Sequence, residues 1–262
     1  MKDVLSEIIA HKKIVVENQK KIVPINEIEK KIEEQTYHSI SLKEALLGSP
    51  HGIIAEFKRM SPSKSWINQW ANASIIPWQY EQNGAAALSI LTDETYFGGA
   101  ISDLQQAITL TGIPVLRKEF IVDEYQLYES KRYGAHAILL IAAALTPQQC
   151  KQFTKTAIDM GLEVLLELHD ETEIDHISHL NNMIGVNNRN LGSFVTDVEK
   201  SYQMVDKLPT NAVLISESGI SNPQTVNELR QAGYKGFLIG ETFMKTDKPG
   251  ESLKQFISNI HG

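Results

Sequence analysis

The sequence lacks the features that mark secreted, membrane-embedded or disulfide-stabilised proteins. Its 262 residues contain one cysteine, Cys150, so no internal disulfide can form, which is typical of a reducing compartment. The longest apolar run, residues 137–145, is far too short to span a bilayer. The first ten residues mix apolar and charged side chains and lack the apolar core and cleavage site of a signal peptide. We therefore expect a cytoplasmic protein that does not engage a membrane.

Charge and missing motifs exclude further classes. The formal net charge is −7 and no basic run occurs, which argues against nucleic acid as a partner. There is no Walker-type or Gly-x-Gly-x-x-Gly loop, so nucleoside triphosphates and dinucleotides are not expected. His176 and His179 are one helical turn apart, but an exposed polar helix explains them better than a metal site, because no further ligand cluster accompanies them. We expect neither a cofactor nor a metal.

The apolar pattern after Gly52 predicts a barrel. Short runs rich in Ile, Val and Leu alternate with polar, helix-forming segments, as in parallel strands that helices cover on both faces. Thr146-Pro147 and Asn222-Pro223 each place a capping residue before a proline suited to the first helical turn. Eight units of similar length favour an α/β (β/α)₈ TIM barrel over a doubly wound open sheet. The predicted strands cover residues 53–57, 86–91, 114–117, 137–141, 162–168, 183–187, 212–216 and 236–239.

Ahead of the barrel, apolar residues recur at helical spacing from Val4 to Glu33, and Pro24 divides this stretch into two helices. The heptads are not sustained, which argues against a coiled coil. We predict an N-terminal helical extension, residues 1–48, that packs on a catalytic barrel formed by residues 49–262.

Polar residues stand where several predicted strands end. Glu56 and Lys58 share the inward parity of Ile54, and Lys118, Glu167 and Asn187 occupy matching positions on three other strands. These groups therefore converge above the barrel core. A structural layer of salt bridges is the alternative for any one pair, but four contributing strands favour an active site. Burial would lower the pKa of each lysine and the carboxylates would oppose that shift, which makes an acid–base set; a Schiff-base lysine stays open.

Two loops near the end of the sequence indicate a bound phosphate. Ser216-Glu-Ser-Gly-Ile220 and Leu238-Ile-Gly-Glu-Thr242 follow the seventh and eighth predicted strands and precede helices, the usual phosphate site of this architecture. Glycine turns without a ligand are the alternative. Tyr96, Phe97 and Phe120 lie just past strand ends and could stack on an aromatic substrate or pack within loops. A small anionic substrate is the expected partner.

As an ordered set, these segments resemble the indole-3-glycerol phosphate synthase family of tryptophan biosynthesis. The resemblance runs through residues 50 to 250, and the extension resembles the family's segment over the barrel mouth. The matching segments are Ile54-Ala-Glu-Phe-Lys-Arg-Met-Ser-Pro-Ser-Lys64, Leu88-Ser-Ile-Leu-Thr-Asp93 with Phe97-Gly-Gly99, Val115-Leu-Arg-Lys-Glu-Phe120, Glu167-Leu-His169, Ile184-Gly-Val-Asn-Asn-Arg189, Ser216-Glu-Ser-Gly-Ile220 and Leu238-Ile-Gly-Glu241.

The resemblance implies an activity: decarboxylative ring closure of 1-(2-carboxyphenylamino)-1-deoxyribulose 5-phosphate to indole-3-glycerol phosphate, carbon dioxide and water. It implies that Lys118 protonates the carbonyl and that Lys58 pairs with the substrate carboxylate. Glu167 and Glu56 stabilise the iminium-like intermediate and take up protons, and Asn187 orients the hydroxyls. The remaining implied residues contact substrate or phosphate: Arg189, Glu217, Ser218, Phe97, Phe120 and Leu139 for the substrate, and Ser61, Gly219, Gly240 and Glu241 for the phosphate.

Three alternatives stay open. Another phosphate-binding barrel of the same pathway, such as phosphoribosylanthranilate isomerase, would need an acid–base pair such as Cys/Asp in place of these lysines and glutamates. A Schiff-base aldolase would use Lys118 or Lys58 covalently. A sugar-phosphate sensor would bind the substrate without converting it. We expect a monomer.

Overall fold

The centre of the molecule is a closed barrel of eight parallel strands. The computed structural model describes residues 4–190 and 195–260. Each strand pairs with the next in sequence, and the eighth closes on the first. The predicted barrel is thereby confirmed, and the predicted strand ends differ by at most one residue. The strands are β1 Ile53–Phe57, β2 Ala87–Leu91, β3 Val115–Lys118, β4 Ala137–Ile141, β5 Glu163–Leu168, β6 Met183–Asn187, β7 Val213–Glu217 and β8 Gly236–Ile239.

Alternation along the strands separates two hydrophobic layers. Ile53, Ala55 and Phe57 face outward and join the layer that the helices cover. Ile54 faces inward and belongs to an inner core with Leu116, Leu139, Leu165 and Leu238. Full burial of one such side chain stabilises the fold by about 1.5–3 kcal/mol. The predicted parity is therefore correct, and it also directs Glu56 and Glu167 inward.

Helices surround the barrel, and their starts carry the predicted caps. Thr146 forms a capping box with Gln149, and the Asn222 side chain accepts from the Gln224 N–H at 3.0 Å. After β1, Met60–Ser61 and Ser65–Trp66 form a short antiparallel pair. The helices after the first strand are α4 Ile76–Gln82, α5 Glu94–Phe97, α6 Ile101–Leu110, α7 Tyr125–Arg132, α8 Pro147–Asp159, α9 Glu199–Val205, α10 Pro223–Ala232, α11 Glu241–Met244 and α12 Pro249–Ser258.

The prediction that His176 and His179 share one exposed polar helix is wrong. The segment is a 3₁₀ helix, Glu171–His176, and His179 lies beyond its end. Asp170 caps the start of this segment, and its carboxylate accepts from the Thr172 N–H at 2.9 Å. The His176 ring nitrogens face the backbone oxygens of Glu173 and Leu145. Residues 4–190 and 195–260 contain no group of three or more His, Cys, Asp or Glu placed to hold a metal ion.

Three helices precede the barrel: α1 Val4–Ile22, α2 Ile25–Glu33 and α3 Leu42–Gly48. Pro24 lies at the break between α1 and α2, as predicted. Glu163, at the start of β5, accepts from the backbone N–H groups of Leu42 and Lys43, and so holds the α3 N-terminus against the barrel. The division into residues 1–48 and 49–262 stays a prediction.

Candidate active site

A cavity of about 630 Å³ opens at the C-terminal ends of the strands, where active sites of this architecture lie. Every residue that the sequence assigned to the site contributes to its wall, although their roles stay predictions. These are Glu56, Lys58, Ser61, Phe97, Lys118, Phe120, Leu139, Glu167, Asn187, Arg189, Glu217, Ser218, Gly219, Gly240 and Glu241. Tyr96 is not among the lining residues; its hydroxyl donates to Glu7 at 3.3 Å.

A lysine between two carboxylates forms the centre of the site. Lys118 Nζ is 3.0 Å from Glu167 Oε2 and 3.7 Å from Glu217 Oε2, and both carboxylates are fully buried. Burial acts to lower the pKa of Lys118, but the charges of Glu167 and Glu217 outweigh it and raise the pKa above its ordinary value. Lys118 is therefore an ammonium at neutral pH.

The two carboxyl groups beside Lys118 differ in their ionisation. Burial acts to raise the pKa of Glu167, but Lys118 and His169 outweigh it and hold that pKa well below its usual range. Burial, together with the charge of Glu167, raises the pKa of Glu217 well above its usual range, against the effect of Lys118. Neither Glu217 oxygen has a hydrogen-bond partner among residues 4–190 and 195–260. The pair thus favours one ionised base beside one protonated acid.

A second lysine–glutamate pair lies on β1 and just after it. Lys58 Nζ is 2.5 Å from Glu56 Oε1, and the Ser89 hydroxyl from β2 donates to the other oxygen of Glu56 at 3.3 Å. The Lys58 side chain is 16 % exposed against 5 % for Glu56, so the ammonium is the more accessible group. We call Glu56, Lys58, Lys118, Glu167 and Glu217 the acid–base cluster.

Two glycines make room for this cluster. A Cβ at Gly185 would lie 2.1 Å from Glu217 Oε1, and a Cβ at Gly240 would lie 2.6 Å from Glu56 Oε1. Both distances are far below van der Waals contact. The carboxylates of Glu217 and Glu56 therefore lie where side chains would otherwise stand on β6 and just after β8.

The loop after β7 turns sharply at the predicted phosphate site. Ser218 and Gly219 both have positive φ, 68° and 77°. The buried Asn188 side chain donates to the Ser218 backbone oxygen at 3.1 Å and to the Ser216 hydroxyl at 3.0 Å, which holds the turn in place. Ser218 is strained and still fixed by its neighbours, which is common at functional sites.

Beside this turn, a carboxylate is paired with cations. Arg189 Nη2 lies 3.4 Å and Lys64 Nζ 3.9 Å from the Glu241 carboxylate. Arg189 also donates to the Ser63 hydroxyl at 2.6 Å. Two cations thus lie at the predicted phosphate position with Glu241 as their counter-ion. The roles of Ser63 and Lys64 in this pairing were not predicted.

The opposite wall of the cavity is apolar. The Phe97 and Phe120 rings lie 5.8 Å apart, and Leu139 lines the same wall. Helix α1 adds three side chains that the sequence had not assigned to the site: Val4, Leu5 and Ile8. Their helical spacing was visible in the sequence, but the surface that they cover was not.

A buried lysine fastens α1 to this wall. Lys12 Nζ lies 2.8 Å from Asp93 and 2.9 Å from Glu119, and all three side chains are buried. Asp93 also accepts from the Tyr96 N–H at 2.7 Å, and Glu119 accepts from the Phe120 N–H at 2.8 Å. Two ion pairs of Lys12 therefore join α1 to the segments that carry Phe97 and Phe120.

The fold and the site together define an enzyme of the (β/α)₈ barrel class, with a cavity that brings acid and base groups together. The family model for indole-3-glycerol phosphate synthase matches residues 5–256. A relative of that name from Bacteroides thetaiotaomicron is 54% identical over 99% of this chain and 100% of its own length. One from Alkaliphilus metalliredigens is 39% identical over 98% and 99%. The chain belongs to the indole-3-glycerol phosphate synthase family, a family of decarboxylating lyases of tryptophan biosynthesis.

The resemblance inferred from the sequence is thereby confirmed. A solved structure of a mutant tryptophan synthase alpha-subunit from Pyrococcus furiosus superposes with a TM-score of 0.59 at 14% sequence identity. It covers 80% of this chain and 97% of that one, and at this identity it shows the shared barrel fold alone. In the described part of the chain, no helix combines the length and the apolar character that crossing a membrane requires.

Proposed function

We propose that this enzyme closes the indole ring of 1-(2-carboxyphenylamino)-1-deoxyribulose 5-phosphate and releases carbon dioxide and water. One observation carries the proposal: the Lys118 ammonium lies 3.0 Å from the Glu167 carboxylate in a cavity with an aromatic wall on one side and cations on the other. A substrate with an aromatic ring at one end and a phosphate at the other fits this polarity.

The substrate spans the cavity from wall to loop. Its aromatic ring packs on Phe97, Phe120 and Leu139 below α1. Its phosphate binds the turn at Ser218 and Gly219 together with Ser61 and Gly240. Arg189 and Lys64 then bind the phosphate in place of part of their contact with Glu241. The phosphate carries two negative charges and therefore attracts these cations more strongly than the single charge of the partly exposed Glu241 carboxylate.

The first bond forms between the ring carbon that bears the carboxylate and the ketone carbon of the sugar. Lys118 donates its proton to the ketone oxygen as that oxygen gains charge, which gives a hydroxyl. The ring nitrogen becomes an iminium, and the ionised Glu167 and Glu56 stabilise this positive charge. Lys58 pairs with the substrate carboxylate and holds the reacting carbon in place.

Carbon dioxide then leaves, and the electron pair of the broken bond neutralises the iminium. In the last step the new hydroxyl departs as water with a proton from Lys58, or from Lys118 once it has regained a proton from solvent. A carboxylate of the cluster takes the proton that the methylene carbon beside the nitrogen loses, so one proton is consumed overall as the substrate carboxylate leaves as neutral carbon dioxide. Asn187 orients the sugar hydroxyls: its side-chain oxygen accepts from the Arg189 N–H at 3.0 Å, which leaves its amide N–H groups for the substrate.

We place the enzyme in the cytoplasm as a monomer. The single cysteine, Cys150, is buried, and burial raises the pKa of its thiol to about 12, so it stays unreactive in a reducing compartment. Light scattering at working concentration tests the monomer, and a dimer mass contradicts it.

The activity is tested with purified protein and the carboxyphenylamino substrate, by following indole fluorescence and released carbon dioxide. Equal amounts of both products are expected. Borohydride trapping distinguishes an aldolase, since only a Schiff-base enzyme is labelled at Lys118 or Lys58. Tight binding of the substrate without either product would contradict the proposal and identify a sensor.

A further inference from the structure

The cluster continues beyond the cavity through a histidine. His169 follows the end of β5 and is buried, and its two ring nitrogens face two different carboxylates. Nε2 lies 3.2 Å from Glu167 Oε1, and Nδ1 lies 3.4 Å from Glu173 Oε2. Glu167 thus has Lys118 at one oxygen and His169 at the other.

The arrangement is held by the backbone. The Glu173 carboxylate accepts from the His169 N–H at 2.6 Å, so the carboxylate and the ring keep a fixed relation. Each ring nitrogen lies within ion-pair distance of one carboxylate oxygen. Glu167 and Glu173 therefore favour the charged imidazolium both as close acceptors and as negative charges.

Other ionisable groups near His169 do not reverse this picture. Asp170 lies next to it in sequence and its carboxylate is bonded to Thr172. Cys150 of α8 faces Glu173 and stays protonated, because burial raises the pKa of its thiol. Burial acts to lower the pKa of His169, but Glu167 and Glu173 outweigh it and raise that pKa to about 9. His169 is therefore an imidazolium at neutral pH.

We propose that His169, supported by Glu173, is a positioning residue that keeps Glu167 ionised while Lys118 is without its proton. This inference rests on the proposed function and deepens it. Once Lys118 has protonated the ketone oxygen, its charge no longer stabilises Glu167, whose burial favours protonation. The His169 imidazolium, at the Glu167 oxygen that does not face Lys118, then keeps Glu167 ionised while the iminium intermediate exists.

The test compares His169→Asn and Glu173→Gln with His176→Asn, measuring kcat and KM across the pH range of the folded enzyme. His176 is a matched control because it lies in the same 3₁₀ helix as Glu173, and its ring nitrogens face only backbone oxygens. Glu173→Gln retains an acceptor for the His169 N–H, which protects the local fold. Thermal unfolding of each variant confirms that the enzyme assayed is folded.

In the parent enzyme, kcat is expected to fall as the pH rises through about 9, where the imidazolium loses its charge. Glu173→Gln should move this alkaline limb to lower pH, toward the ordinary imidazole value of about 6.5. His169→Asn should lower kcat at neutral pH by about tenfold or more, with a smaller effect on KM. His176→Asn should leave the profile unchanged.

Two results would overturn the inference. One is an alkaline limb that stays in place in Glu173→Gln. The other is a kcat of His169→Asn that equals that of the control. An inactive parent enzyme would instead contradict the proposed function, so the two failures are distinguishable.

Discussion

Replacing Lys118 by methionine tests the centre of the site most directly. The change removes the ammonium and keeps a side chain of similar length. The proton for the ketone oxygen then has no donor at this position, and turnover should fall by about 10²–10⁴-fold, the range of general acid catalysis. The enzyme should still fold, because the lost contacts are those of one charge.

The same change should alter stability in a pH-dependent way. In the parent, Glu167 has a lowered pKa, so its contribution to stability is present above the unfolded value near 4.3 and is lost as the pH falls. In Lys118→Met, His169 is the only cation that still opposes the effect of burial on Glu167, so the pKa of Glu167 lies above its value in the parent and the variant gains less stability as the pH rises. Breaking a buried pair costs about 3–5 kcal/mol, or roughly 6–20 °C in Tm. The difference should therefore be large at neutral pH and should shrink as the pH falls below about 4.3.

Single-turnover fluorescence and thermal unfolding at two pH values measure both effects. Lys155→Met is the matched control, since Lys155 pairs with Asp159 on an exposed helix face and such a pair contributes about 0–1 kcal/mol. Turnover of Lys118→Met within about tenfold of the parent, below the range of general acid catalysis, would refute the assigned role. A loss of Tm that is equal at both pH values would refute the electrostatic argument.

Three further predictions concern the rest of the cavity. Lys58→Met should raise KM by about tenfold, which is the effect of losing one ion pair with the substrate carboxylate, and initial rates should depend less on salt than in the parent. An unchanged KM would count against this pairing. Gly185→Ala places a Cβ 2.1 Å from Glu217 Oε1 and should lower the free energy of unfolding, measured with denaturant, by about 1–3 kcal/mol. Gly48→Ala is the control, because a Cβ at Gly48 would meet no neighbouring atom within 4 Å and should leave stability unchanged or raise it. Equal effects of the two changes would refute the steric argument. Lys12→Met should lower stability by about 3 kcal/mol and weaken substrate binding, because it releases α1 from the aromatic wall; calorimetry that shows parent-like affinity would argue against this link.

Much of the architecture could be predicted because its signal is local. A continuous apolar run involves only neighbouring residues, so the sequence predicts the strands directly. The alternation of side chains along β1 likewise predicts that Glu56 points into the barrel. The position of Lys118 at the end of β3 followed in the same way. Strand ends in a parallel barrel meet at one rim, so each local reading also located part of the site.

What could not be predicted depends on contacts between residues that are distant in the sequence. The pairing of Lys12 with Asp93 and Glu119 joins segments that no periodicity relates. The need for glycine at position 185 appears only in the folded barrel, where the Glu217 carboxylate of the next strand occupies the space of a side chain. The segment after β5 was misread because the spacing of His176 and His179 does not by itself establish a helix, and the 3₁₀ helix here ends at His176.

The glycines at 185 and 240 have a consequence for how the enzyme can diversify. They let the carboxylates of Glu217 and Glu56 lie within the strand scaffold, while most of the apolar wall comes from α5, from the loop after β3 and from α1, with Leu139 of β4 beside them. Proton chemistry and most of the ring recognition are thus supplied by different parts of the chain. Changes at Val4, Leu5 or Ile8 can reshape the space for ring substituents while the reactive groups stay where the strands hold them.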